Sequence, residues 1–448
     1  MILPSAQRAA PRPTPEWELF RKLLPPRLLN DLDPRAPQAA YTPWVVTWLL
    51  IYQRLHGNPS LNDAVAEFTQ RFARQAVPDR KRVRDGTLSA NTGAYSLARS
   101  ELDARVLYWA AQNVFDSLVA GYPASWRGRR AFILDGSTVQ LAPSLELRAA
   151  FPPASNQHGG SPWPLLHLVV AHELRSGLAV LPQYGPKYGP NAASELSLAL
   201  GLLARLPGGS ILLADRNFGV FAFAWAAGHT GHDVLLRLTQ ARFNALRKKA
   251  AEVGPGKWQL CWRPSAWDRK AHPGLPPGAE VNGWLYEVRV SERLTLWLFT
   301  TLEGTAEEFA GLYHNRQDVE TDIRDLKETL ALGEMTGKSV AMVEKELVAA
   351  ALAYNLANQV RRLAAARLGQ EPRRLSFAGV WSLLKAFLAG VGEGQTAAEA
   401  EAAFERLLRA AGQRKLPRRA RGRSYPRQVL PRGRKFPTRK RAHLPILQ

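Results

Sequence analysis

The segment Ala131-Phe-Ile-Leu-Asp-Gly136 decides the fold class, because an apolar run that stops at a polar turn is typical of a buried β-strand. A second segment of this kind, Ser210-Ile-Leu-Leu-Ala-Asp215, follows a helix predicted at about 192–206. Further strands are predicted at 165–171, 178–183 and 233–238, and a further helix at 220–227. Three strands, a helix, a strand, a helix and a strand indicate an α/β fold in the order of an RNase H-like sheet. The order alone does not separate this sheet from other α/β sheets.

The charge of the chain points to a polyanionic partner. The 448 residues carry 60 Lys+Arg and 38 Asp+Glu, a formal net charge of +22, which favours nucleic acid over a merely soluble basic protein. The single cysteine, Cys261, excludes an internal disulfide and a cysteine-based zinc site. No secretory signal is evident, and the apolar stretch 44–52 is far shorter than the about 20 residues of a membrane helix. We therefore expect a cytoplasmic protein that works on nucleic acid and not on a membrane.

Other parts of the chain flank or interrupt this sheet. Apolar residues recur at helical spacing between 41 and 122, and strands are predicted at 258–262, 284–290 and 294–301. Helices resume at Ala306. The predicted order is a loosely ordered Pro-rich leader (1–40), a helical domain (41–125), the first part of the core (126–238), a β-rich insertion (239–302), the second part of the core (303–370), a helical region (371–411) and a basic tail (412–448).

Two aspartates are candidates for metal binding. Asp135 and Asp215 each follow an apolar run directly, and ligands of open α/β sheets gather at such carboxyl ends of strands. Cleavage of a phosphodiester by two metal ions needs carboxylates, which are the ligands that hard cations such as Mg²⁺ prefer. Taken singly, each residue is more simply a turn or helix-capping aspartate. The pair at the ends of two strands of one sheet favours a functional site.

A third carboxylate is predicted in the segment 313–327. On a continuous helix of about 100° per residue, two sets of side chains lie on adjacent flanks. The polar set is Tyr313, Arg316, Glu320 and Lys327, and the apolar set is Val319, Ile323, Leu326 and Leu330. Such a helix packs on the sheet, presents Glu320 as a metal ligand and offers Arg316 and Lys327 to phosphate oxygens. The periodicity fits equally well a solvated helix whose charges pair with one another, namely Asp318, Asp322, Arg324 and Asp325.

The spacing Tyr-x2-Arg-x3-Glu-x6-Lys, met by Tyr313, Arg316, Glu320 and Lys327, resembles the Y-R-E-K signature of the insertion sequence four family of DDE transposases. Leu134-Asp-Gly-Ser137 and Leu213-Ala-Asp-Arg-Asn-Phe218 are similar to the first and second aspartate motifs of that family. The basic run from Tyr425 to Pro437 is similar to its C-terminal run. The likeness extends from about residue 40 to the end of the chain.

The resemblance implies a transposase with an RNase H-like core. Asp135, Asp215 and Glu320 would be catalytic and would bind two Mg²⁺ ions, for which Mn²⁺ could substitute. Water would cleave the element end, a DNA hairpin would form and be reopened, and the 3′-hydroxyl would attack target DNA. Tyr313, Arg316 and Lys327 would contact the terminal phosphates. Trp297 would stack on a flipped base, although a core tryptophan on a half-buried strand is the commoner case.

The implied partner is double-stranded DNA, both the terminal inverted repeats and the target. A homodimer is also implied, with residues 376–411 as a candidate contact, in a bacterial cytoplasm where the protein associates with the nucleoid. The helical domain is expected to recognise the repeats through its densest basic cluster, Arg71, Arg74, Arg80, Lys81, Arg82 and Arg84. The tail, with 13 Lys/Arg and no Asp/Glu, is expected to track phosphates. Two alternatives stay open: an RNase H-like nuclease or resolvase without strand transfer, and a non-catalytic DNA-binding derivative.

Overall fold

A computed structural model describes residues 24–156, 159–292, 294–326, 332, 335–390 and 397–416. The described residues up to Lys415 belong to one compact unit. The basic tail lies outside the described residues, apart from its first five positions. Of the helices in the described ranges, none combines the length and the apolar composition that a membrane span requires.

A mixed sheet of ten described strands forms the framework of the fold. The strands are β1 (Ala131–Gln140), β2 (Pro153–Asn156), β3 (Gly159–Glu173), β4 (Gln183–Pro186), β5 (Ile211–Ala214), β6 (Asp233–Arg237), β7 (Ala251–Gly254), β8 (Lys257–Trp262), β9 (Val281–Ser291) and β10 (Leu294–Thr300). Their order across the sheet is β2-β3-β1-β5-β6-β10-β9-β8-β7, and β4 also pairs with β3. The pairs β1–β5 and β5–β6 are parallel, whereas the other neighbours are antiparallel. The strands of the β-rich segment therefore extend the same sheet beyond β6.

The side chains of β1 alternate between two hydrophobic cores, as the pleat of a strand requires. Phe132 and Leu134 pack into the larger core, while Ala131 and Ile133 pack into the smaller one. Both faces of the strand are buried, which explains why its sequence is continuously apolar before Asp135. The smaller core is closed by residues of the segment 306–323, including Phe309, and this segment also carries the predicted third carboxylate.

The α-helices of the described residues are α1 (Pro26–Leu32), α2 (Pro43–Leu55), α3 (Leu61–Glu67), α4 (Ala73–Ala76), α5 (Lys81–Arg84), α6 (Gly93–Glu101), α7 (Ala104–Ala120), α8 (Leu145–Ala150), α9 (Glu195–Leu202), α10 (Phe221–His229), α11 (Gln240–Arg247), α12 (Ala266–Ala271), α13 (Ala306–His314), α14 (Asp318–Arg324), α15 (Val340–Arg367), α16 (Phe377–Gly390) and α17 (Ala397–Gly412). The long helix α15 is buried along most of its length and packs against α2, α7, α16 and α17. The N-terminal helices therefore share their core with a helix that follows the sheet.

Charged and polar side chains also join the N-terminal helices to α15. The buried Glu346 carboxylate lies 2.9 Å from the Arg54 guanidinium and 3.3 Å from that of Arg99. The Asn355 amide group donates to the Ala179 carbonyl and accepts from the Ala179 amide, both at 2.8 Å. These contacts fix α15 to α2 and α6 on one side and to the segment after β3 on the other.

Five of the eight predicted strands are confirmed within one to three residues. The strand predicted at 165–171 is longer, because β3 begins at Gly159 and ends at Glu173, and two other predictions on the sheet are wrong. Asp135 does not end its strand, because β1 continues to Gln140 while β3 pairs with it throughout. Residues 178–182 do not form a strand. They are buried and have a single bridge, between His172 and Ala179, and the backbone of Ala179 bonds to Asn355 instead.

The segment 313–327 is not one continuous helix. Helix α13 ends at His314, a 3₁₀ turn occupies Asn315–Gln317, and α14 begins at Asp318. The predicted arrangement on one helix face is therefore wrong, since the change of helix type alters the angle between successive side chains. The side chain of Glu320 and the whole of Lys327 lie outside what the structure describes.

The Pro-rich leader is partly packed, which differs from the prediction of a loosely ordered segment. Leu24 and Leu29 are fully buried, and the indole nitrogen of Trp44 donates to the Leu24 carbonyl at 2.8 Å. Proline at the start of α1 is compatible with a helix there, because the first turn has no use for that amide hydrogen.

Candidate active site

Asp135 lies in the middle of β1 and faces the segment that follows the sheet. Its side chain points to the same side as that of Ile133, two residues earlier, which belongs to the smaller core. Its Oδ1 accepts from the Gly136 amide at 2.9 Å, and its Oδ2 lies 3.3 Å from Nη2 of Arg316. The carboxylate is therefore oriented with one oxygen toward the backbone and the other toward a cation.

Asp215 follows β5, the parallel neighbour of β1. Ile133 is paired with Leu213, so the next two positions along each strand bring Asp135 and Asp215 side by side. The Oδ1 of Asp215 accepts from the Asn217 amide at 2.8 Å, as in an Asx turn, and its Oδ2 lies 3.7 Å from Nη2 of Arg316. The two aspartates thus present equivalent oxygens to the same nitrogen.

Arg316 connects the two carboxylates through one terminal nitrogen. The exposed fraction of its side chain is 17%, and that of each aspartate side chain is 22%. The distance between the two Oδ2 atoms cannot exceed the sum of their distances to this shared nitrogen. Asp135 and Asp215, some eighty positions apart in the chain, therefore meet at one half-buried point.

The electrostatics of the two aspartates favour the binding of a divalent cation. Burial raises the pKa of Asp135, and the nearby Asp215 and Glu195 carboxylates raise it further, while Arg316 and the Gly136 amide lower it. A raised pKa means that the ionised form of the carboxyl is destabilised where it stands. A divalent cation in place of the guanidinium would lower that cost further, because it brings two positive charges to carboxylates that now share a single arginine.

Tyr313 is nearly fully buried in the smaller core, together with Phe309 and Ile323. Burial raises the pKa of its hydroxyl to about 12, although Arg316 and Arg237 pull it down. The hydroxyl oxygen is buried, and the nearby Arg237 guanidinium can only donate to it, so the hydroxyl hydrogen has no acceptor among the described residues. It therefore stays protonated at neutral pH and retains an unused donor next to the acidic pair.

Helix α14, which carries Glu320, is fixed by buried ion pairs. It packs against β1 and β3, and Asp322 binds Arg373 through two hydrogen bonds of 2.8 and 2.9 Å. Asp322 and Asp325 are 1% and 7% exposed, so the alternative of a solvated helix whose charges pair with one another is wrong for these two residues. The backbone of the predicted third carboxylate is thus held against the strand that carries Asp135.

Trp297 lies on β10 opposite Glu287 and is half-buried against the larger core. In the predicted basic cluster, Arg71 pairs with Glu67 at 2.7 Å. The exposed members of that cluster are Arg74, Lys81, Arg82 and Arg84. The structure thus shows Trp297 in a packing environment and most of the basic cluster at the surface.

Glu195, the first residue of α9, also belongs to this site and was not predicted from the sequence. Its carboxylate accepts from the Asn217 side-chain amide at 3.3 Å and lies 3.7 Å from Nε2 of the buried His167. A Cβ atom on Gly136 would lie 2.7 Å from Oε1 of Glu195, so a larger residue at 136 would displace this carboxylate from its present position. In the sequence, the glycine next to Asp135 indicates that another group comes close to the strand there. It does not indicate that this group is Glu195.

The donor set fits a hard divalent cation. Asp135 and Asp215 supply carboxylate oxygens, which such cations prefer, and both direct an oxygen to a point that a cationic group already occupies. Within the described ranges no three Asp, Glu, His or Cys side chains are arranged closely enough to hold a metal ion as they stand. Arg316 therefore lies where a shared metal ion would be expected.

The comparisons with known proteins agree with this chemistry. A family model for the transposase DDE domain matches residues 126–356, which include Asp135, Asp215 and Glu320. A curated relative, the transposase InsG for insertion sequence element IS4 of Escherichia coli (strain K12), is 30% identical over 329 residues. The aligned part covers 70% of this chain and 70% of the relative.

Proposed function

Because the chain belongs to the insertion sequence four family of DDE transposases, we propose that Asp135, Asp215 and Glu320 are its catalytic carboxylates. Membership of the family makes the chain a transposase, an enzyme that binds DNA, cleaves and joins its strands and depends on divalent metal. The observation that carries the residue assignment is the approach of Asp135 and Asp215 to the same nitrogen of Arg316. Glu320 is assigned by its signature spacing and by the packing of α14 against β1.

The three carboxylates are proposed to hold two Mg²⁺ ions, with Mn²⁺ as a substitute. When bound, such a pair activates the attacking oxygen and stabilises the leaving oxygen of a phosphodiester. The rigid backbone of β1 and the Asx turn after β5 orient the two aspartates before any ligand arrives. Their half-buried position lowers the effective dielectric constant around them, which would strengthen their electrostatic interactions with a bound cation.

Tyr313 and Arg316 are proposed to bind phosphates at the element end. The Arg316 guanidinium can donate two parallel hydrogen bonds to a phosphate, and the unused Tyr313 hydroxyl adds a neutral donor. Lys327 would supply a third cation from its signature position. The proposed reaction is end cleavage by water, attack of the freed 3′-hydroxyl on the opposite strand to give a hairpin, reopening, and strand transfer into target DNA.

The catalytic core is proposed to be RNase H-like. The strand order β4-β3-β1-β5-β6 supports it, with antiparallel pairs on one side of β1 and parallel pairs on the other. The segment 239–302 then represents an insertion whose strands lengthen the sheet. Trp297 remains a proposed base-stacking residue of this insertion, and its half-buried position means that stacking would require it to leave the core.

The remaining partners are proposed from charge and resemblance. The exposed residues Arg74, Lys81, Arg82 and Arg84 support a role of the segment 41–125 in binding the terminal repeats. The tail 412–448 is proposed to follow DNA phosphates, and residues 376–411 to supply a contact in a homodimer that pairs two element ends. The two DNA contacts would be weakened by salt in proportion to the number of phosphates that each neutralises.

The test is cleavage and joining of a DNA duplex that ends in the element's own terminal repeat. Asp135→Asn, Asp215→Asn and Glu320→Gln should each abolish cleavage with Mg²⁺ and with Mn²⁺ while leaving binding of the duplex nearly unchanged. Asp31→Asn, at an exposed aspartate outside the proposed DNA-binding segments, is the matched control and should cleave normally. Retention of cleavage by any of the three variants would refute its assignment, and nicked products without joined ones would favour a nuclease.

A further inference from the structure

Arg316 occupies the point at which Asp135 and Asp215 would share a metal ion. Its Nη2 is 3.3 Å from one Oδ2 and 3.7 Å from the other, and its side chain is mostly buried. A guanidinium and a divalent cation cannot both lie within contact distance of the same two oxygens, since their charges repel strongly at such separations. Loading of metal at this pair therefore requires the guanidinium to move.

The position of Arg316 in the chain permits such a movement. The residue belongs to the 3₁₀ turn Asn315–Gln317, between α13 and α14, and not to the interior of either helix. Both flanking helices are anchored, α13 by the buried Phe309 and Leu312 and α14 by Asp322. A change of the arginine rotamer could thus release the aspartates without moving the helices.

Arg316 also retains unused hydrogen-bonding capacity. Its Nε is buried and makes no hydrogen bond within the described part of the chain. An arginine uses Nε together with a terminal nitrogen when it binds a phosphate through two parallel bonds. The guanidinium is therefore held incompletely by the aspartates and would gain a bond by transferring to a DNA phosphate.

We propose that Arg316 is the counter-ion of Asp135 and Asp215 in the metal-free protein and that a DNA phosphate takes over its guanidinium when metal binds. This inference rests on the proposed metal site. Its consequence is positive coupling, in which DNA tightens the binding of metal and metal tightens the binding of DNA by the same factor. The enzyme then acquires its metal ions mainly on DNA, and Arg316 acts as a positioning residue before it contacts substrate.

The test is Mn²⁺ binding to the full-length chain, followed by electron paramagnetic resonance, with and without a 20-base-pair DNA duplex. For the natural protein the duplex should tighten Mn²⁺ binding by about tenfold. Arg316→Gln, which removes the charge, should bind Mn²⁺ about tenfold more tightly than the natural protein in the absence of DNA. In this variant the duplex should tighten Mn²⁺ binding only slightly. Equal or weaker Mn²⁺ binding by Arg316→Gln without DNA would overturn the inference.

Three further variants make the result specific. Arg316→Lys keeps the positive charge and should bind Mn²⁺ without DNA as weakly as the natural protein, which also guards against a folding defect in Arg316→Gln. Arg129→Gln removes an arginine that pairs with Asp233 at 2.6 Å elsewhere on the sheet and should leave Mn²⁺ binding unchanged. Asp135→Asn should weaken Mn²⁺ binding in every background. If it does not, the proposed metal site itself is wrong. If only Arg316→Gln fails to bind Mn²⁺ more tightly, the metal site stands and the proposed coupling is refuted.

Discussion

Gly136→Ala tests the close approach of Glu195 to the strand that carries Asp135. The added Cβ would lie 2.7 Å from Glu195 Oε1 and 2.9 Å from its Cδ, which is closer than side-chain atoms approach. The Glu195 side chain is 30% exposed and flexible, so it should swing away while the strand stays in place. The displacement costs the hydrogen bond to Asn217, worth about 0.5–1.5 kcal/mol, and on the order of 1 kcal/mol for an unfavourable rotamer.

The assay is urea denaturation of four proteins: the natural chain, Gly136→Ala, Glu195→Ala and the double variant. Gly136→Ala should lower the free energy of unfolding by about 1.5–2.5 kcal/mol, but by less than about 0.5 kcal/mol once Glu195 is alanine. Gly208→Ala is the matched control, because a Cβ there meets no atom within 4 Å. If Gly136→Ala lowers the free energy of unfolding by the same amount with and without the Glu195 side chain, Glu195 is not the group that requires glycine at this position.

Three further predictions concern buried polar groups. Glu346→Gln leaves the buried Arg54 and Arg99 without their anion, and guanidinium denaturation should show a loss of about 3–5 kcal/mol. Burial raises the pKa of Asp325 to about 6, so stability should fall as pH rises from about 4 to 6, and thermal melts of Asp325→Asn should lack this fall. Tyr313→Phe removes a buried hydroxyl whose hydrogen has no acceptor among the described residues, so the melting temperature should change little while cleavage of element-end DNA declines.

Each of these predictions has a contrary outcome. A loss below about 1 kcal/mol for Glu346→Gln would mean that the two arginines find other acceptors or water. An unchanged pH profile for Asp325→Asn would mean that the Asp325 carboxyl ionises as easily in the folded as in the unfolded chain. Normal cleavage by Tyr313→Phe would exclude its hydroxyl from contact with substrate.

Short apolar runs made much of the sheet predictable from the sequence. The runs that form β5 and β6 are buried on both faces of the sheet. Such strands are continuously apolar, so they can be recognised from the local sequence alone. Asp215 was placed correctly because β5 does stop just before it. Asp135 was not, because β1 continues as far as β3 pairs with it, and that pairing is a contact between distant parts of the chain.

The side-chain contacts of the candidate active site were harder to predict from sequence patterns. A helical wheel assumes one constant rotation per residue, and the 3₁₀ turn at Asn315–Gln317 breaks that assumption within the signature. The contacts of Arg316 with two aspartates and of Glu195 with Gly136 join elements far apart in the sequence. Neither contact produces a periodic pattern in the sequence, because each depends on how the helices pack against the two faces of the sheet.

The ion pairs of α14 and α15 have a practical consequence for shortened forms of the enzyme. Asp322 is neutralised by Arg373, and Glu346 by Arg54 and Arg99, yet all three arginines lie outside residues 126–356. A fragment cut at the limits of the matched transposase DDE domain would keep both buried acids and discard their counter-charges. Chimeras that exchange catalytic segments between relatives should therefore carry these arginines along, even though none of them belongs to the aspartate or Y-R-E-K motifs.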